Sequence, residues 1–396
     1  MTTKKIDFSD IKVAFAHKTN FELRKSYLLF WFFGFPKLVD VLTKLAIWAL
    51  KWHLPIQFLI KKTVFSQFCG GENIEDCQKT LDNLKKSNIG AILDYSVEGK
   101  ETDVFFDATV KELLKTIEVA AQDPKKVPFS VFKCTGICQF SLLEKVNQKI
   151  KLSEKDEQDW HKAIHRVDQL CALAFERKVP IFIDAEESWI QDVIDDLAHQ
   201  MMKKYNKDQA IVYNTIQMYR YDRLEFLKHS VAEAQQENYH YGVKLVRGAY
   251  MEKERERAKN MNYPSPIQPD KTYTDQDYDK ALRFCVENLG ILSLCAGSHN
   301  EASNALLASL MEEKNINKND KHVYFAQLFG MSDHISYQLA AQGFNVAKYV
   351  PYGAIAEVIP YLTRRAAENT SVSGQMGREL SLLTQELSRR KTESQS

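Results

Sequence analysis

From residue 86 onward, short apolar runs alternate with longer stretches whose apolar positions recur every three or four residues. The short runs are Gly90 to Asp94, Phe129 to Lys133, Pro180 to Asp184, Ile211 to Gln217, Gly242 to Val246, Ile291 to Cys295, His322 to Phe325 and Val346 to Val350. Their β-branched and aromatic content and their polar boundaries predict strands. Helical periodicity fills the intervals, as at Gln158 to Lys178, Trp189 to Tyr205, Asp222 to Glu237 and Ala354 to Glu368. Eight strands, each followed by a helix, are the count expected of an α/β (β/α)8 TIM-type barrel, with room for distortion. A doubly wound open sheet is the rival. It should carry a glycine-rich fingerprint after its first strand, and none is there.

Ahead of the barrel the pattern is different. An aromatic run from Tyr27 to Pro36 is followed by Leu38, Val41, Leu42, Leu45 and Trp48 at helical spacing, among Lys37, Lys44, Lys51, Lys61 and Lys62. This predicts an amphipathic helix, either packed on the domain, the commoner outcome, or lying on a membrane surface. No run reaches the roughly 18 uncharged residues of a spanning helix, and no cleavable signal is evident at the start. The expected organisation is a helical arm over 1–85, packed on the domain or associating with a membrane, a catalytic barrel over 86–370 and a tail over 371–396.

Composition narrows the functions. The chain has 396 residues, 44% of them hydrophobic, and a formal charge of +1. That charge gives no reason to expect nucleic acid as a partner. The seven cysteines form no C-x-x-C pair and no zinc-like spacing with histidine, so buried free thiols in a reducing, cytoplasmic compartment are expected and no metal.

The polar residues of the barrel gather at the C-terminal ends of its strands: Asp94, Lys133, Asp184, Gln217, Arg247, His299, Gln327 and Tyr349. In this fold that end holds the active site. Lys133 and Asp184 end consecutive strands and should pair, either as a structural ion pair or around a Schiff-base lysine. Lys244 to Tyr250 places Gly248 and two cations after strand five, suited to an anionic or electron-rich ligand. His299 and Asn300 precede a helical run, a favourable place for an anion. Lys271 to Asp275 is read as part of a long proline-containing loop. In the last helix Tyr361, Arg364, Arg365 and Glu368 share one stripe, and a planar pair of guanidinium forks suits a carboxylate.

These pieces occur together in one family. Asp184-Ala-Glu-Glu187, Gln217-Met-Tyr, Lys244 to Tyr250, Ser298-His-Asn300, Gln327 to Met331 and Tyr361-x-x-Arg-Arg365 stand in the order seen in monofunctional, FAD-dependent proline dehydrogenases, which the chain resembles from about Phe68 to Asn369. No aldehyde dehydrogenase module is expected. The resemblance implies oxidation of L-proline to Δ1-pyrroline-5-carboxylate, the first step of proline catabolism to glutamate, with electrons passed to a membrane quinone. It implies a location in the cytoplasm, peripheral on the inner face of a membrane, or on the matrix side if mitochondrial.

By the same resemblance Arg364 and Arg365 grip the substrate carboxylate. Lys133, Asp184, Tyr250, Tyr349 and Tyr361 line the pocket, with Leu245 and Leu328 as its apolar wall, and Glu98 matches an acidic gate partner. Asp184, Gln217, Lys244, Val246, Arg247, Gly248, Lys271, Ser298, His299 and Asn300 are the flavin-binding set. Lys244 departs from the family's usual arginine, keeping the charge but losing the planar fork. Tyr349 packed on the ring would disfavour 4-hydroxyproline. Two other functions fit the same residues, a Schiff-base lyase using Lys133 and a non-catalytic proline sensor.

Overall fold

The structure, a computed structural model, describes residues 6–52, 54–97, 101–371 and 373–395. Its centre is a closed parallel barrel whose strands stand in sequence order: β1 (Ile89–Tyr95), β2 (Phe129–Phe132), β3 (Ile181–Ile183), β4 (Val212–Gln217), β5 (Tyr241–Val246), β6 (Leu292–Gly297), β7 (Val323–Leu328) and β8 (Val346–Tyr352). Each of the eight expected strands is present. The near-continuous burial along every strand is that of a parallel sheet covered on both faces.

The chain forms two compact units, residues 1–99 with 327–396, and residues 100–326. In the second unit the barrel interior is floored by aromatic rings. Phe129 stacks on Phe182 at 4.4 Å between centroids and meets Tyr213 and Tyr324 edge-on at 5.6 and 4.8 Å. Such contacts add roughly 0.5–1.5 kcal/mol each beyond the area they bury. They also fix which face of each strand looks inward, and hence which residues two positions further on reach the mouth.

In the first unit β1 and β8 pair from Ile89 against Val346 to Tyr95 against Tyr352. One apolar core joins the N-terminal helices to the C-terminal ones. It contains Phe15, Leu23, Phe30, Phe33 and Phe68 together with Val358, Tyr361, Leu362, Leu382 and Leu383. A buried charge cluster accompanies it. Asp333 takes Lys348 Nζ of β8 at 3.0 Å and Lys18 Nζ at 2.9 Å, with His17 Nε2 at 3.6 Å. Burial alone would raise the Asp333 carboxyl, but Lys18 and Lys348 outweigh it and hold it well below the usual range. Lys348, 1% exposed, also donates to Met331 O at 2.6 Å, and burial pushes its ammonium down.

For the arm the sequence left two outcomes open, and two further expectations need correction. The helix Pro36–Lys51 forms, but it does not pack its large apolar stripe: Leu38, Val41, Leu42, Leu45 and Trp48 are all exposed, Trp48 by 55%, while the small Ala49 is buried. The last barrel helix begins at Ile359 rather than Ala354, after a hydrogen-bonded turn, with Pro360 in its first turn, where a missing N–H costs nothing. Lys271 is not in a loop. It opens the helix Lys271–Glu287, capped by Asp270, whose side chain accepts from Thr272 N at 2.7 Å. All seven cysteines are buried and free, as expected.

Candidate active site

The second unit builds a charged triad at the ends of β2, β3 and β5. Asp184, just past β3, accepts from Lys244 Nζ of β5 through one oxygen and lies 3.4 Å from Lys133 Nζ through the other. Thr215 Oγ1 of β4 adds a bond at 3.4 Å. Lys244 Nζ also stands 4.9 Å above the Phe182 ring, so this cation rests on the aromatic floor. Asp184 and Lys244 are buried, whereas the Lys133 side chain keeps 25% exposure. The carboxylate thus lies between two ammonium groups and ties the ends of their side chains to one point.

Around the triad the neighbouring strand ends supply donors. Gln217, buried at the end of β4, donates Nε2 to Glu186 O at 2.7 Å and accepts from Ala249 N at 3.4 Å. The loop after β5 is bare backbone at Gly248, where φ is +129° and a Cβ would lie 2.6 Å from the Tyr219 ring. A side chain is excluded there by both conformation and space. Val246 is half-buried, Tyr250 precedes the helix Met251–Asn260, and His299 follows β6 half-buried.

Several predicted residues turn out to be braces. Arg247 gives Nε to Asp275 at 2.7 Å, Nη1 to Ser298 at 2.7 Å and Nη2 to Ser303 at 2.9 Å, and stacks 4.3 Å over Tyr278. Three of its donors are therefore committed to the protein, and it holds Ser298 in place. Lys271 pairs with the same Asp275. Burial would raise the Asp275 carboxyl, but bonds from Lys271 and Arg247 keep it below the usual range. The Asn300 side chain caps the helix Glu301–Glu313 by accepting from Ser303 N at 3.1 Å. Leu245 alternates with Lys244 along β5 and so faces the opposite side of the sheet from the triad, wholly buried.

In the first unit, Tyr361 and Arg365 are both buried on the helix Ile359–Ser371. The Arg365 guanidinium carbon lies 5.2 Å from the Tyr361 ring centre, as their four-residue spacing requires. Arg364 beside them is half-buried, as are Leu328 at the end of β7 and Tyr349. Tyr349 sits inside β8, three residues before its end, rather than past it. Leu328 packs against the core that contains Tyr361. Glu98 lies outside the described residues.

The proline dehydrogenase sequence profile matches residues 77–378. The chain belongs to the proline dehydrogenase family. It is 34% identical to the mitochondrial proline dehydrogenase 1 of Dictyostelium discoideum, over 85% of this chain and 66% of that protein. It is also 34% identical to the carbapenem antibiotics biosynthesis protein CarD of Pectobacterium carotovorum subsp. carotovorum, over 83% of this chain and 84% of that one. A structure of proline utilization A from Bdellovibrio bacteriovorus, inactivated by N-propargylglycine, shares the fold with a TM-score of 0.70 at 21% identity, over 83% of this chain and 36% of that one. The chain thus spans just under two thirds of the Dictyostelium protein and about a third of the solved one.

Proline dehydrogenase membership implies a flavin cofactor. The residues present fit a flavin: a buried cation at Lys244, amide and hydroxyl groups at Gln217 and Ser298, the exposed backbone of Gly248 and the helix start at Glu301 form a donor set for the carbonyl and ring-nitrogen acceptors of a flavin and for its phosphates. One residue escaped the sequence reading. Glu186 is buried behind the triad and accepts from Thr135 N at 3.0 Å and from the Thr135 hydroxyl. Burial pushes its carboxyl up to about 7, against those two bonds. Its signals in the sequence are its place in the Asp184-Ala-Glu-Glu187 segment and the two-residue phase it shares with Asp184 beyond β3.

Proposed function

We propose that this chain is an FAD-dependent proline dehydrogenase that oxidises L-proline to Δ1-pyrroline-5-carboxylate and passes the electrons to a membrane quinone. The observation that carries the reading is the Lys133–Asp184–Lys244 triad at the barrel mouth, in a chain matched to the family along most of its length. The flavin, when bound, supplies the two-electron acceptor for the hydride that leaves C5 of the ring.

The chain's own residues do the rest. Arg364 and Arg365 take the substrate carboxylate, a bidentate contact that anchors one end of a small zwitterion. Tyr361 braces Arg365 through ring contact. Tyr250, Tyr349 and Leu328 are assigned the walls around the ring. Lys133, Arg364 and Arg365 disfavour a second positive charge and so favour the uncharged amine that hydride loss requires. Lys244, Gln217, Val246, Gly248, Ser298, His299 and Asn300 are assigned to the flavin. Arg247 and Lys271 act on that set indirectly, through Asp275 and Ser298.

Lys133 is a poor Schiff-base nucleophile, because Asp184 keeps its ammonium protonated. That counts against the lyase. The exposed face of helix Pro36–Lys51 and its lysines support docking on an anionic membrane leaflet, where the quinone resides; relatives named as mitochondrial favour the matrix side. The deciding experiment is the visible spectrum of the purified protein under anaerobic conditions. Proline should bleach a bound flavin, and the released product should be Δ1-pyrroline-5-carboxylate. Proline binding without bleaching would make the protein a sensor, and a colourless protein that traps substrate on Lys133 with borohydride would make it a lyase.

A further inference from the structure

The mouth of the second unit contains a carboxyl group that no step above uses. Glu186 is 3% exposed, and each of its polar groups is directed at a different part of the site. The side chain accepts from the Thr135 N–H at 3.0 Å and from the Thr135 hydroxyl. Thr135 lies in the tight turn that follows β2, closed by Gly136 N to Lys133 O at 3.1 Å and Ile137 N to Cys134 O at 3.1 Å. That turn begins on Lys133. The main-chain carbonyl of Glu186 accepts from Gln217 Nε2 at 2.7 Å.

Glu186 is itself held firmly. Its N–H donates to Gln191 Oε1 at 2.8 Å, and Gln191 Nε2 donates to Asp195 at 2.8 Å. Asp195 is buried and takes Asn214 Nδ2 at 2.8 Å and Arg223 Nη1 at 2.7 Å. A chain of hydrogen bonds therefore runs from helix Ser188–Tyr205 through Glu186 to the turn that begins on Lys133 and to Gln217 at the end of β4. A connected set of hydrogen bonds of this kind fixes the geometry of the groups it joins.

We propose that Glu186 is a positioning residue for proline oxidation, setting Lys133 through the Thr135 turn. The inference rests on the proline dehydrogenase reading, in which Lys133 faces the substrate. The titratable and charged groups packed around the Glu186 carboxyl are Lys133, Cys134 and Cys138 from the segment after β2 and its neighbour Glu187; the polar Thr135, Gln191 and Gln217 complete its surroundings. Burial, with Glu187 beside it, outweighs the Thr135 bonds and Lys133 and brings the carboxyl up to about 7, which makes its charge state a further readout.

The test compares Glu186→Ala, Glu186→Gln and Thr135→Val in the flavin-loaded protein. Glu186→Ala should lower kcat for proline by roughly ten- to a hundredfold, the usual consequence of a small misplacement at a reacting centre. FAD affinity, read by fluorescence quenching, should stay within about twofold, since Gln217 is held by main chain. Glu186→Gln can still accept the N–H and meet the hydroxyl, so it should restore most of the rate while removing any inflection of kcat near pH 7. Thr135→Val should follow the alanine variant and serves if that one does not fold. Independently of turnover, reductive methylation of Lys133 followed by mass spectrometry should be several-fold faster in Glu186→Ala. Unchanged kcat and unchanged Lys133 labelling in the alanine variant would overturn the proposal. So would equal loss of flavin affinity and melting temperature in all three variants, which would mean a purely structural role. Wild-type protein that proline cannot reduce would sink the functional reading instead, with the Lys133 labelling still deciding the positioning claim.

Discussion

At the residue scale the arginine pair is the sharpest test of the substrate assignment. Arg365 is buried and braced by Tyr361, so its rotamer is set before any ligand arrives. A charge-assisted hydrogen bond contributes about 1.5–3 kcal/mol, equivalent to roughly ten- to 150-fold in binding. Arg365→Met, which keeps the apolar stem but removes the fork, should raise KM for proline by that factor; steady-state kinetics with an unchanged KM would remove the carboxylate role. The sequence made this pair legible because two adjacent cations on a helix stripe are a poor core. It also made the Lys133–Asp184 pair legible from neighbouring strand ends. It could not reveal the third member's contact, Lys244 to Asp184, because that depends on which way β5 faces. Nor could it reveal Glu186, whose role comes from a turn on another strand, or that Arg247 would be occupied by Asp275, Ser298 and Ser303.

At the element scale, the eight strands and their order follow from alternation alone, whereas helix starts depended on local chemistry. Asp270 begins a helix where a run of prolines suggested a loop, and Pro360 delays one where apolar spacing suggested an earlier start. For the helix Pro36–Lys51 the sequence left two outcomes open, packing on the domain or lying on a membrane. Periodicity marks its apolar face but cannot say what covers it. In the structure Leu42, Leu45 and Trp48 stay exposed, and Trp52 and Phe58 beyond them are each 66% exposed. Large side chains entering an apolar phase gain about 1.5–3 kcal/mol each when fully buried. The full chain should therefore sediment with vesicles containing anionic lipid. The triple change Leu42→Glu, Leu45→Glu, Trp48→Glu should reduce the bound fraction by at least about tenfold without lowering the melting temperature. Equal sedimentation of the two proteins would end the membrane assignment.

At the scale of the whole molecule, the N-terminal residues are not a loose appendage, since His17 and Lys18 reach the buried Asp333 that also holds Lys348 of β8. Removing one member of such a cluster leaves cations buried without their counter-charge, which costs about 3–5 kcal/mol. Asp333→Asn should lower the urea midpoint of unfolding by a corresponding amount at neutral pH. The sign with pH is fixed by the depressed carboxyl: its contribution is complete above the ordinary carboxylate range and fades as acid approaches the lower folded value. Wild type and variant should therefore converge in acid, and a gap that persists at low pH would assign the cost to packing instead.

The seven thiols have a practical corollary. Each lies in the interior with its S–H form favoured by desolvation, Cys77 and Cys138 pushed up to about 12. Thiolate, not thiol, is the nucleophile that attacks maleimides and peroxides. The native protein should thus be almost silent towards alkylating dyes. A lone cysteine introduced on the outer face of the arm could then be labelled selectively, giving a fluorescent reporter of its depth in lipid without first stripping the protein of its own sulfur.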